Sequence, residues 1–173
     1  MEKATRKNLA KVAEKAAQIP FHGYIEGEES NLEPIIRFFP QWTLKEADGL
    51  WCAAFVYYCC REAGFDIPIR PEACKTCHLA GCIAWEELAA GDPRIGYHQG
   101  GEGFVPEAGD IVLYDRVFEN KEHDHIGMSL KTGEIRSLSR KEILPTDQGS
   151  SSAQKMSISE VISESRMDTN IGG

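Results

Sequence analysis

Between Trp51 and Ala63, apolar side chains recur at helical spacing: Cys52, Phe55, Val56, Cys59, Cys60 and Ala63 fall at i, i+3, i+4, i+7, i+8 and i+11. This pattern predicts a helix with one buried face, so other elements of the chain must cover it. Gly64 supplies a C-terminal stop, and Pro68 and Pro71 prevent the helix from resuming. The chain has 173 residues, of which 42% are hydrophobic. That is enough for one compact domain with a real core.

The covering elements can be read on either side of that helix. Residues 2–18 place Leu9, Val12, Ala13, Ala16 and Ala17 at helical spacing among basic residues, and Pro20 ends the pattern. Residues 20–50 mix prolines and glycines with short apolar runs such as Ile35-Ile36, which indicates loops and short elements. A second helix is expected over 72–90, with Trp85 and Leu88 in the core, followed by a loop from Gly91 to Pro106. Ile111 to Tyr114 and Ile126 to Leu130 read as antiparallel neighbouring strands. A turn at 131–134 leads to Ile135 and a basic patch, then Ile143-Leu144, a loop from Gly149 to Ala153 and a last element near 156–163. There is no internal repeat.

Charge narrows the partners. A formal charge of -8 and an isoelectric point near 5.2 disfavour capture of nucleic acid, anionic lipid or wall polyanions. A small-molecule, peptide or glycopeptide ligand fits better. No apolar run approaches the roughly 20 residues needed to cross a bilayer, and the N-terminus has no apolar stretch of the signal-peptide kind. A cytoplasmic protein is therefore expected, with export by another route left open. The six cysteines include adjacent Cys59-Cys60 and clustered Cys74, Cys77 and Cys82, a spacing that suggests reduced thiols rather than a disulfide framework.

Cys52 would begin the predicted helix, where the helix dipole favours the thiolate, and Asp48 or Gly49 could cap it. Cys59 and Cys60 lie deeper, as small apolar core thiols. A nucleophilic cysteine needs a histidine oriented by a third polar group. His125 opens the second strand and can be held there by the sheet, whereas His123 reads as a surface residue. The backbone N–H of Cys52 is the natural oxyanion donor, with Gln41, Trp42 and Trp51 available to supply a second donor or shape the cleft. Trp51 also reads as a packing lid, and Asp110 as a loop-bonding residue at a strand entrance.

Three segments stand in order: Trp51-Cys52-Ala53-Ala54-Phe55-Val56 with Ala63-Gly64, then Pro106-Glu107-Ala108-Gly109-Asp110-Ile111-Val112-Leu113, then Asp124-His125-Ile126-Gly127-Met128. Together they resemble the CHAP family of cysteine, histidine-dependent amidohydrolases and peptidases, relatives of the NlpC-type peptidases, over roughly residues 42–149. The resemblance implies an α+β, papain-like fold in which N-terminal helices, the nucleophile helix among them, pack on a small antiparallel sheet. It also implies an N-terminal extension over 1–41 and a catalytic region over 42–173, all within one compact domain. The implied activity is amide hydrolysis through a thioacyl-enzyme, most often on peptidoglycan, in a bacterial or phage setting and without a cofactor or metal. By the resemblance, Cys52 is the nucleophile and His125 the general base and later general acid. The family's E-G-N segment is absent; its nearest analogue is Asp147, with Gln148 and Glu142 as alternatives for the third group. A catalytically inactive, ligand-binding or scaffold version of the domain is the alternative.

One other motif competes. Cys74-Lys75-Thr76-Cys77-His78 has the C-x-x-C-H form of haem attachment, and Cys82 and His98 add candidate zinc ligands. If 72–90 is one helix, Cys74 and Cys77 share a face and could instead form a redox pair that regulates the nucleophile.

Overall fold

A computed structural model describes residues 4–25, 28–48, 50–99, 103–117, 122, 124–132, 134–136 and 154–157, the last two segments through their backbone. Among these residues five helices precede five strands: α1 (Arg6–Ala16), α2 (Glu33–Ile36), α3 (Leu44–Ala47), α4 (Cys52–Glu62), α5 (Cys82–Gly91), β1 (Gly96–His98), β2 (Ile111–Tyr114), β3 (His125–Lys131), β4 (Glu134–Arg136) and β5 (Gln154–Ser157). The strands form one antiparallel sheet in the order β1-β5-β2-β3-β4, so the architecture of the described residues is α+β.

The predicted stripe on α4 is buried except at Cys52, which is half-buried, and Ala53, Ala54 and Tyr57 beside it are buried too. With α1, α2, α5 and β3 all packed against it, α4 is covered on more sides than its apolar period required. Small residues make this possible, because Ala53 and Ala54 let neighbours approach where a longer side chain would hold them off. On the sheet side, Ile111 lies opposite Met128 and Leu113 opposite Ile126, and these four complete the core with Phe55 and Val56.

The opening helix is part of this same core. Thr5 caps α1 by accepting from the Asn8 N–H at 3.1 Å, which starts the helix at Arg6 and trims the expected 2–18 span. Leu9, Ala13 and Ala16 are buried against α4 and β3. Arg6, the first residue of α1, ties this same end to the sheet side, ion-pairing with Glu107 and, at 3.1 Å, with the fully buried Asp110. Asp110 also accepts from the Glu107 N–H at 2.8 Å, so it bonds the loop at the mouth of β2. The preceding Gly109 has φ +92, and a Cβ there would stand 2.0 Å from the Arg6 carbonyl oxygen. Only glycine admits both that backbone conformation and that approach.

Two expectations are corrected. The helix expected over 72–90 spans only Cys82–Gly91. Residues 72–81 are instead held as turns, because the Glu87 carboxylate accepts from the Lys75 and Thr76 N–H groups while Arg70 donates to the Cys74 and Lys75 carbonyls. Those bonds occupy backbone groups that a helix would pair internally. The loop expected from Gly91 to Pro106 contains β1, which takes its partner from the far end of the sequence. The last described element is Gln154–Ser157, slotted between β1 and β2, and past Ser157 the element expected near 156–163 lies outside the described residues. Trp85 and Leu88 are buried as expected, the Trp85 indole donating to the Leu79 carbonyl at 2.9 Å.

Candidate active site

Cys52 is the first residue of α4. Of the two expected caps, Asp48 instead accepts from the Tyr24 N–H at 3.1 Å through its carboxylate, and Gly49 lies outside the described residues. The N-cap is Trp51, which makes no side-chain capping bond, and the first turn holds no acidic residue. Thus no capping side chain competes with the sulfur for the positive end of the helix. The Ala53 N–H donates to the sulfur. Trp51 packs edge-on against Phe55, with ring centroids 6.0 Å apart.

His125 begins β3 and is 2% exposed. Because α4 packs on β3, Cys52 and His125 line one small cavity whose other walls are Phe55, Val56, Ile126, Gly127 and Met128. The imidazole lies within hydrogen-bonding reach of the sulfur. On the neighbouring strand Tyr114 is directly opposite His125, and the two rings stack with centroids 5.7 Å apart. Burial pushes the Tyr114 phenol well above its ordinary range, so it stays neutral. The stack leaves the imidazole little room to turn away from the sulfur.

The second neighbour of Cys52 is another thiol. The Cys82 sulfur lies 3.7 Å from it, at the first residue of α5. Two helix N-termini therefore converge on one sulfur pair. Hydrogen bonding from Cys82, followed by the hydrogen bond and charge of His125, pulls Cys52 down to about 5 against the opposing effect of burial. Cys82 moves far in the other direction, because it faces the Cys52 thiolate and the Asp124 carboxylate as well as losing solvent. The pair thus shares a proton unevenly. Histidine lies on the Cys52 side and aspartate on the Cys82 side, so Cys52 is the anion and Cys82 the donor.

The remaining cysteines behave as buried thiols: Cys60 is pushed up to about 12 and Cys74 to about 11 by burial, and Cys59 and Cys77 also rise. All six are free. The C-x-x-C-H residues do not converge. The Cys74 sulfur donates to the Ala84 carbonyl at 3.2 Å, His78 accepts from the Ala80 N–H and lies against Phe39 and Trp42, and Cys82 turns to Cys52. His98 stacks on Phe104 at 4.1 Å. Among the described residues no group of three or more His, Cys, Asp or Glu side chains is arranged to hold a metal ion. None of the described helices is long and apolar enough to cross a membrane.

Asp147, Gln148 and Glu142, the three alternatives for the third group, lie outside the described residues, as does His123. Sequence reasoning brought Cys52 and His125 together but read Cys82 only as a candidate zinc ligand and did not single out Tyr114. Tyr114 follows from pairing the two strands with the His125 end of one opposite the Tyr114 end of the other. Cys82 had a weaker signal, a cysteine directly after Gly81 at the start of a helical run. No protein-family model matches the chain, and no curated protein or solved structure is detectably similar to it.

Proposed function

We propose that this chain is a cysteine amidohydrolase or peptidase of papain-like architecture, with Cys52 as nucleophile and His125 as proton carrier. The observation that carries the reading is a thiol on the first residue of a helix that lines one small cavity together with a buried imidazole, whose hydrogen bond and charge favour the thiolate. Thiolate, not thiol, attacks carbonyl carbon, and of the six cysteines only Cys52 is shifted toward that form. The acid–base partner is adjacent.

In the proposed reaction the Cys52 sulfur adds to the amide carbonyl, and the resulting oxyanion is met by the uncapped N–H groups at the start of α4. Protonated His125 gives its proton to the departing amine as the C–N bond breaks, leaving a thioester on Cys52. Neutral His125 then takes a proton from water, whose oxygen displaces the sulfur and releases the acid. The stack on Tyr114 keeps the imidazole oriented through both transfers. A peptide or peptidoglycan stem as the acyl donor, and the papain-like assignment itself, rest on the resemblance to the CHAP family in the three segments around Cys52, Gly109-Asp110 and His125.

The test combines labelling with turnover. Iodoacetamide near pH 7 is expected to modify Cys52 well before the other five cysteines, and Cys52→Ala to abolish release of amine from peptide and muropeptide amides. Equal labelling of all six thiols counts against the reading. Tight binding of such a fragment with no Cys52-dependent cleavage would instead identify a non-catalytic binding domain.

A further inference from the structure

In amide hydrolysis Cys82 only donates a hydrogen bond to the Cys52 thiolate, and no step of that reaction uses its sulfur as a nucleophile. Cys82 is nevertheless held in van der Waals contact with Cys52, 3.7 Å away, and both residues retain some exposure. The other four cysteines are not so placed: Cys59 and Cys60 lie deeper along α4, Cys74 is bonded to Ala84, and Cys77 packs beside Gly81. The helix on whose face Cys74 and Cys77 were expected to pair does not span 72–81.

We propose that Cys52 and Cys82 are joined by hydroperoxides into a disulfide that dithiols reopen, making the site a reversible oxidation switch. A disulfide requires the sulfurs to close from 3.7 Å to about 2.05 Å. Each sulfur sits on the first residue of its helix, where a side-chain rotation or a small shift of the first turn can supply that approach. The bond itself rests only on this contact; its meaning as an off state rests on Cys52 being the nucleophile proposed above.

The chemistry balances with a hydroperoxide as oxidant. The Cys52 thiolate attacks one peroxide oxygen, the O–O bond breaks, and the departing hydroxide or alkoxide takes a proton, leaving Cys52 as a sulfenic acid. The Cys82 sulfur then attacks the Cys52 sulfur, and the S–O bond breaks to release water once the oxygen is protonated. Two thiols lose two electrons; hydrogen peroxide gains them and becomes two waters. A dithiol reductant reverses the bond by exchange and is itself oxidised to a disulfide.

The surroundings set the order of these steps. While Cys52 is a thiolate, its charge and its hydrogen bond hold the proton on Cys82, so Cys82 is the poorer first target. Conversion of Cys52 to a neutral sulfenic acid removes that charge. Cys82 is then released to ionise just when its neighbour has become an electrophile. The same step would spare Cys52 from irreversible oxidation to sulfinic and sulfonic acids.

The full chain, reduced and freed of reductant, is exposed to stoichiometric hydrogen peroxide, blocked with N-ethylmaleimide under denaturing conditions and mapped by peptide mass spectrometry. A Cys52–Cys82 cross-linked peptide is expected as the main product, and dithiothreitol should dissolve it and restore iodoacetamide labelling of Cys52. In folded Cys82→Ser, sulfinic and sulfonic Cys52 should go from minor to major products. Accumulation of those acids in the unsubstituted protein with Cys82 still alkylatable, or equal resistance of Cys82→Ser, overturns the proposal. If the disulfide forms and reopens but the reduced protein cleaves no amide, the hydrolase reading fails and the switch chemistry stands. Cys52-dependent cleavage with no disulfide formed overturns the switch and leaves the hydrolase standing.

Discussion

A thiol at the head of a buried helix has two opposed influences on its ionisation, and at Cys52 the neighbours outweigh burial. Desolvation raises a thiol, as Cys60 shows by reaching about 12, whereas Cys52 is brought to about 5. The difference is polar company: Cys82, His125 and the Ala53 N–H all stabilise the anion. The sign gives a direct prediction. Cys52 is a thiolate above about 5 and loses that form as pH falls through it, so its iodoacetamide rate should inflect near 5, not near the ordinary value of about 8.5. Because Cys82 is the largest contributor, Cys82→Ala should move the inflection upward; an unchanged profile would remove Cys82 from the account. His125→Ala should also move it upward, and because it removes the proton carrier it should lower kcat by roughly 10²–10⁴-fold on amide substrates. Stopped-flow alkylation and steady-state kinetics across pH separate the two effects. Cys52 and His125 were legible in the sequence because each sits at the start of its own element and within a local motif. Cys82 was not, because its contact depends on how the turns over 72–81 deliver α5, and those turns are built from side-chain bonds with no periodic signature.

The elements follow the same division between local pattern and distant partner. Helix α4 declares itself by an unbroken apolar period, and β2 and β3 by short apolar runs around a polar loop. Strand β1 is three residues, Gly96-Tyr97-His98, and is defined only by pairing with Lys155 to Ser157, which no window of sequence around it contains. Residues that join elements were also hard to weigh in advance. Gly109 precedes a strand, and its positive φ and the nearness of Arg6 make it the point where the start of α1 meets the turn leading into β2. Gly109→Ala places a methyl group against the Arg6 carbonyl in a backbone region that alanine avoids. The expected cost is about 1–3 kcal/mol from the backbone conformation alone. Urea unfolding should show it as a lower midpoint, and a midpoint equal to that of the unsubstituted protein would mean the docking is looser than the geometry requires.

At the scale of the whole molecule, the site exists because elements from distant parts of the sequence share one core. Cys52 comes from α4 and His125 from β3, and α1 packs against both elements, with Leu9 fully buried between them. The first helix is thus structurally continuous with the core that presents the site, although its sequence pattern alone reads as an amphipathic extension. Arg6 is the polar end of that union. Its partner Asp110 is fully buried at the mouth of β2, where its carboxylate also accepts from the Glu107 N–H, while the Asp110 carbonyl receives the Ser129 N–H of β3 at 2.8 Å. Arg6→Met keeps the length and apolar stem of the side chain but leaves a buried carboxylate without its cation. Such a loss costs about 1–3 kcal/mol, or more for a charged group. If α1 belongs to the same cooperative unit as the site, the substitution should lower one common unfolding midpoint, read alike by tryptophan fluorescence and by exposure of Cys59 and Cys60 to alkylation. Cys52 should keep its low-pH labelling until that shared transition. Two separated transitions, with α1 released while the Cys52 and His125 pair persists, would show that the opening helix can leave the core without dismantling the site.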